Sequence, residues 1–146
     1  DRYRSRLISK IMFGAYNKRI KNVRTSNDWL TRDETVVDEY NAGKLTTFLF
    51  TVNGYRGLMN MILYVRKPRN IAKIPKNLPM LMVSGLDDPV GEYGKGVYRA
   101  YNTYHGHIDD IDLRLFEDCR HELCNELNKE EIYEEIYGWI VDHMNK

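Results

Sequence analysis

The sequence predicts an α/β chain, with a helical first part over residues 1–70 and a strand, helix, strand, helix unit with parallel strands over residues 71–146. Three observations carry this prediction. Residues 78–84 form a short unbroken apolar run, as in a strand covered on both faces in a parallel sheet. Residues 94–105 place Val97, Tyr98, Tyr101 and Tyr104 on one helical face, and Ile111, Leu113 and Leu115 then alternate with polar residues as a strand does. A strand that returns through one helix to a second strand implies a right-handed parallel crossover.

The other elements follow in order. Residues 5–20 put Leu7, Ile8, Ile11, Met12, Ala15 and Tyr16 at helical spacing, so an amphipathic helix is expected there. Residues 1–24 hold eight basic residues against Asp1 alone, which reads first as a solvated helix face and second as a binding patch. Residues 25–47 are polar and interrupted by Asn and Gly, which predicts loops with short helical turns. Residues 48–66 are apolar and predict a helix from about Asn53 or Gly54, although the β-branched opening also suits a strand. Three of the four prolines fall in residues 67–79, the expected connection between the two parts. At the end, Asn128 and Glu131 resemble a capping box, and Ile132, Ile136, Ile140 and Met144 run down one face of a closing helix. Glu122 and Glu126 are expected to charge the start of that helix favourably.

The chain has 146 residues, 42% hydrophobic and 29% charged, with a formal net charge of +1, which suits a single globular domain and calls for neither nucleic acid nor an acidic surface. The many tyrosines have no matching basic surface beyond the first helix, so base stacking is not expected. No apolar stretch reaches membrane-spanning length and the basic start lacks a signal-peptide core, which predicts a cytoplasmic location. Cys119 and Cys124 are spaced as neither a redox pair nor a zinc set and read as free thiols.

The chemistry concentrates where the strands run out. In open α/β sheets the loops at the carboxyl ends of strands face a crevice. Asp87 and Asp88 sit at the end of the first strand and His121 just beyond the second. If the strands are neighbours, a carboxylate and an imidazole meet there, and such a pair fixes the tautomer of the histidine and leaves Nε2 to take a proton from a nucleophile. Asp-Asp-Pro also suits a plain turn.

Together, "SGLDDPVG" and "CRHELCNE" resemble the carboxyl-terminal part of an α/β-hydrolase of the lysophospholipase and monoglyceride-lipase-like group, also labelled serine aminopeptidase-like. The resemblance implies that the acid is the fourth residue of a G-x-x-D turn, which is Asp88, and that the histidine before the last helix is His121. It implies that residues 16–40 belong to a lid over the substrate pocket, with Trp29, Phe48 and Phe50 as candidate lining residues, for which plain packing is the equal alternative. The fold's nucleophile lies on a G-x-S-x-G elbow ahead of the acid and the histidine. None of Ser5, Ser9, Ser26 and Ser84 has both glycines, and residue 1 is aspartate, so the elbow and the earlier strands are expected upstream, in a half of the protein that this chain lacks. The chain is then expected to be inactive alone and part of a serine hydrolase for lysophospholipid-like or monoacylglycerol-like esters, with amide cleavage left open. Unpaired strand edges predict association with the missing half or a homodimer, and a self-associating module without catalysis is the rival reading.

No cofactor is expected. His105, His107, Asp109, Asp110 and Asp112 are metal-ligand types, but they precede the second strand, at the sheet end opposite Asp88 and His121, and no metal site is predicted. Gly91, Gly94 and Gly96 lack the Lys-Ser/Thr of a phosphate-binding loop and read as a turn that opens a helix.

Overall fold

The computed structural model describes residues 2–144. Asp1, weighed above against eight basic residues, lies outside them, as do residues 145 and 146. Among the described residues α1 (Arg6–Phe13), α2 (Glu34–Ala42), α3 (Val52–Val65) and the short α4 (Pro68–Ile71) precede the sheet. Then come β1 (Met80–Gly85), α5 (Lys95–His105), β2 (Ile111–Phe116) and α6 (Lys129–Met144), with 3₁₀ turns at Tyr16–Arg19 and Leu123–Asn125. The strands pair in parallel, from Met80 opposite Ile111 to Gly85 opposite Phe116, and α5 makes the crossover and packs on both. No helix among the described residues is long and apolar enough to cross a membrane.

Several boundaries differ from expectation for physical reasons. The first helix stops at Phe13 because Gly14, a poor helix former, ends it, and residues 16–19 tighten into the 3₁₀ turn. Its start is set by Ser5, whose Oγ accepts from the Ile8 N–H. Residues 25–47 hold a full helix rather than short turns, because Asp33 caps α2 by accepting from the Thr35 and Val36 N–H groups. α3 begins at Val52, capped by Thr51, and is a helix throughout. β1 starts at Met80, since Pro79 has no N–H to offer a ladder, and Met80 N donates to Asp110 O at 2.9 Å.

Burial departs from the sequence pattern too. β1 is not covered on both faces: Val83 keeps 36% of its surface, because a two-stranded sheet leaves both outer edges open. Leu7 and Ile11 of the α1 stripe are exposed, and on α6 burial fades from Ile132, fully buried beside Cys119 and Leu123, to Met144, 79% exposed. Asn128 does not form a reciprocal capping box, since its side chain bonds the Glu131 carboxylate and the Arg32 guanidinium instead.

Glu126 is the largest correction. Rather than charging a helix start, it is fully buried and accepts from the Arg120 N–H at 2.7 Å, Arg32 Nε at 2.9 Å and the Arg32 N–H at 3.3 Å. Arg120 Nη1 in turn donates to Asp28 O and Thr31 O, and Glu122 N to Leu30 O. Residues 28–32 are thereby stitched to residues 120–126. Arg32 is partly exposed but Glu126 is fully enclosed, so it is removal of Arg32, which strands the buried carboxylate, that approaches the cost of about 3–5 kcal/mol for breaking a buried pair.

Gly85 sets the other junction. A Cβ there would lie 2.0 Å from Cys119 O and 2.4 Å from Arg120 O, so the loop after β2 runs directly against the exit of β1. Leu86 N donates to Phe116 O and Asp87 N to Cys119 O across this contact. Gly85→Ala should push the two backbones apart and lower stability by about 1–3 kcal/mol, read as a lower urea midpoint. An unchanged midpoint would show that the loop yields freely.

Candidate active site

The turn after β1 is built around Asp88. Its N–H donates to Gly85 O, its Oδ1 accepts from the Val90 N–H at 2.8 Å and its carbonyl accepts from the Tyr93 N–H at 2.8 Å. Glu92, Tyr93 and Gly94 follow in the left-handed region, with φ of 53°, 57° and 82°. For the two that are not glycine this costs about 1–3 kcal/mol each. The Tyr93 bond to Asp88 O and the Arg19 guanidinium, 3.7 Å from the Tyr93 ring centroid, hold the strained stretch in place.

Asp88 is buried, and its second oxygen, Oδ2, lies 3.0 Å from His121 Nδ1. Asp87 is exposed and takes part through its backbone, so geometry separates the two aspartates. His121 sits in the loop after β2, partly exposed at 38% of its side chain, and Nε2 has no hydrogen-bond partner among the described residues. The Trp29 ring lies 5.2 Å from the imidazole, with Tyr16 packed edge-on against Trp29.

The bond from Asp88 raises the pKa of His121 above the ordinary value; burial opposes this, and the charges of Asp88 and Glu122 add to it. Burial, then the negative charge of Asp88, raises the pKa of the Tyr16 phenol. The helical first part therefore presents a neutral aromatic surface to a carboxylate–imidazole pair.

Trp29, Phe48 and Phe50 all lie in the wall of one cavity of about 810 Å³. Phe13, Tyr40 and Tyr55 share that wall and were not singled out from the sequence, because they come from three separate helices with no common spacing. Through Trp29 the cavity adjoins His121.

At the other end of the sheet, the His-x-His stretch does not converge. His105 packs on the Tyr101 ring and His107 Nε2 bonds Ile74 O. Asp110 and Asp112 instead approach His143 of α6, a residue the sequence did not suggest, with ligand-type atoms all within 4.8 Å. These groups already satisfy one another: His143 Nε2 is 3.3 Å from Asp110, Trp139 Nε1 donates to Asp112 at 2.8 Å, and the Arg114 guanidinium stands 3.6 Å from Asp112.

The sign of the histidine shift gives a test. Because the folded pKa is raised, the pair's contribution to stability is complete below the ordinary histidine pKa and is lost as pH rises through the folded value. An NMR titration of the His121 ring should give a midpoint above 6.5, and Asp88→Asn should bring it down. The same midpoint in both proteins would show that the pair does not interact in solution.

The sequence profile described as serine aminopeptidase, S33, matches residues 2–128. A comparison with curated proteins gives no significant match. Among solved structures, a highly thermostable carboxyl esterase from Bacillus coagulans, in complex with glycerol, superposes with a TM-score of 0.83 at 23% identity, covering 99% of this chain and 46% of that one. A lipase in its open form gives a TM-score of 0.83 at 22% identity, covering 96% of this chain and 46% of the lipase. The chain thus spans under half the length of these structures and shares their fold over nearly its whole extent. With the profile matched over most of its residues, the chain belongs to the serine aminopeptidase S33 family and is folded as part of an α/β-hydrolase.

Proposed function

We propose that this chain is the lid (residues 1–70) and the carboxyl-terminal core portion (residues 71–146) of a serine hydrolase that cleaves carboxylic esters of the lysophospholipid or monoacylglycerol kind. The observation that carries the proposal is the 3.0 Å contact between Asp88 Oδ2 and His121 Nδ1 at the exits of two paired parallel strands, with Nε2 unengaged. Family membership and the esterase and lipase fold support it.

In the mechanism, a serine on a segment outside this chain attacks the ester carbonyl while His121 Nε2 takes its proton. Asp88 holds the Nδ1–H and stabilises the imidazolium. His121 then protonates the departing alcohol, and in the second half it takes a proton from water, whose oxygen attacks the acyl-enzyme and releases the acid. Since His121 must be neutral to accept a proton, its raised pKa places the acid limb of the rate profile above that of a free histidine. The cavity holding Trp29, Phe48 and Phe50 receives the acyl or alcohol part. The cysteines, one buried and one exposed and neither in a disulfide, suit a reducing, cytoplasmic setting.

The protein from its native source should carry a mass above that of this chain and react with a fluorophosphonate probe. In that protein Asp88→Asn should lower kcat by about 10⁴-fold. An unlabelled species with the mass of these 146 residues alone would sink the proposal.

One observation favours the rival reading of a self-associating module. Among the described residues both sheet edges are open, and Met61, Leu63, Tyr64 and Val65 of α3 stand exposed. On that reading the isolated chain sediments as a homodimer. A monodisperse monomer over the micromolar range would count against it.

A further inference from the structure

Among the described residues, the wall of the cavity beside Trp29 holds two cations, Arg6 and Lys10, and no carboxylate. They are four positions apart on α1, so they project from one face of the helix and repel one another. Three other basic side chains of the first part are engaged and do not line the cavity: Arg24 pairs with Glu34 and Asp38, Arg32 with Glu126, and Arg19 stacks on Tyr93. Arg6 and Lys10 have no ion pair among the described residues and stand exposed at the cavity. The same lining includes an aromatic cluster, with Phe48 against Phe50 and Phe50 against Tyr55. An unpaired double positive charge beside an apolar surface complements a molecule with one apolar chain and one negative group.

Resting on the reading of this cavity as the substrate pocket, we propose that it selects single-chain esters bearing a phosphate or carboxylate over neutral ones of equal length, with Arg6 and Lys10 as the pair that sets the preference. The volume, about 810 Å³, lies in the range of small-molecule sites. A neutral ester gains only the aromatic wall. An anionic one also relieves the repulsion between the two cations.

The test uses the 146-residue chain with Trp139→Phe, so that Trp29 in the cavity wall is its remaining indole. Dodecyl phosphate, dodecanol and inorganic phosphate are titrated while Trp29 emission is followed. Dodecyl phosphate should bind about tenfold tighter than dodecanol, with the advantage shrinking as salt is raised. In Arg6→Gln with Lys10→Gln the two ligands should bind alike, at the dodecanol affinity of the parent, whereas Lys10→Arg should keep the preference. Inorganic phosphate at the same concentrations should displace neither. Equal binding in the parent, or an undiminished preference in the double glutamine variant, overturns the inference and leaves the hydrolase reading standing. Displacement by inorganic phosphate reduces the site to a plain anion site and also overturns it. If neither amphiphile binds, the cavity is not a substrate pocket and the inference fails with it; loss of probe labelling in the intact protein concerns the catalytic reading alone.

Discussion

A side chain at position 85 and the carbonyl of Cys119 cannot occupy the same space, and that exclusion governs the rest of the site. With glycine there, the loop leaving β2 presses on the end of β1 and the two exchange backbone hydrogen bonds at Leu86 and Asp87. Asp88 and His121, 33 positions apart in sequence, are then within one hydrogen bond of each other. The contact is made by backbone, at Gly85, Leu86 and Asp87 on one side and Phe116 and Cys119 on the other.

The second constraint is electrostatic. Glu126 is a carboxylate removed from water, tolerated because the Arg32 guanidinium and two backbone N–H groups surround it. Its partners come from both parts of the chain. The same carboxylate that fixes the backbone just before His121 also holds Arg32, while Arg120 and Glu122 hold Asp28, Leu30 and Thr31, and together they bring the Trp29 ring to the imidazole. The aspartate–histidine geometry and the placement of residues 28–32 beside it share one buried charge.

Much of this was legible in the sequence, for identifiable reasons. The parallel pair and its crossover helix were, because strand runs and helical spacing are local patterns and the exits of neighbouring strands must lie side by side. Asp88 and His121 followed from that placement. The length of α1 was misjudged because hydrophobic spacing continues through Gly14 while the backbone does not. The cap signal at Asp33, an aspartate followed by Glu34, is masked by the polar, Asn- and Gly-broken composition around it, which predicts a loop. Glu126 and His143 were out of reach, since their partners lie far away in sequence and no spacing rule links them. The exposed stripes of α1, α3 and α6 show the complementary limit: a periodic pattern marks the face made for burial, whether or not anything described here covers it.

Cys119 has a consequence of its own. Its thiol is fully enclosed beneath the loop that carries His121, and burial, followed by the nearby Glu126 charge, raises its pKa, so it is both shielded and a weak nucleophile. Cys124, five residues on, lies open to solvent. The first thiol, packed with Leu123 and Ile132, can be alkylated only when that packing opens locally, while the second is accessible in the folded chain. The chain thus contains an internal clock for the local opening of the loop that carries His121, with a neighbouring thiol as the reference that keeps time for the reagent.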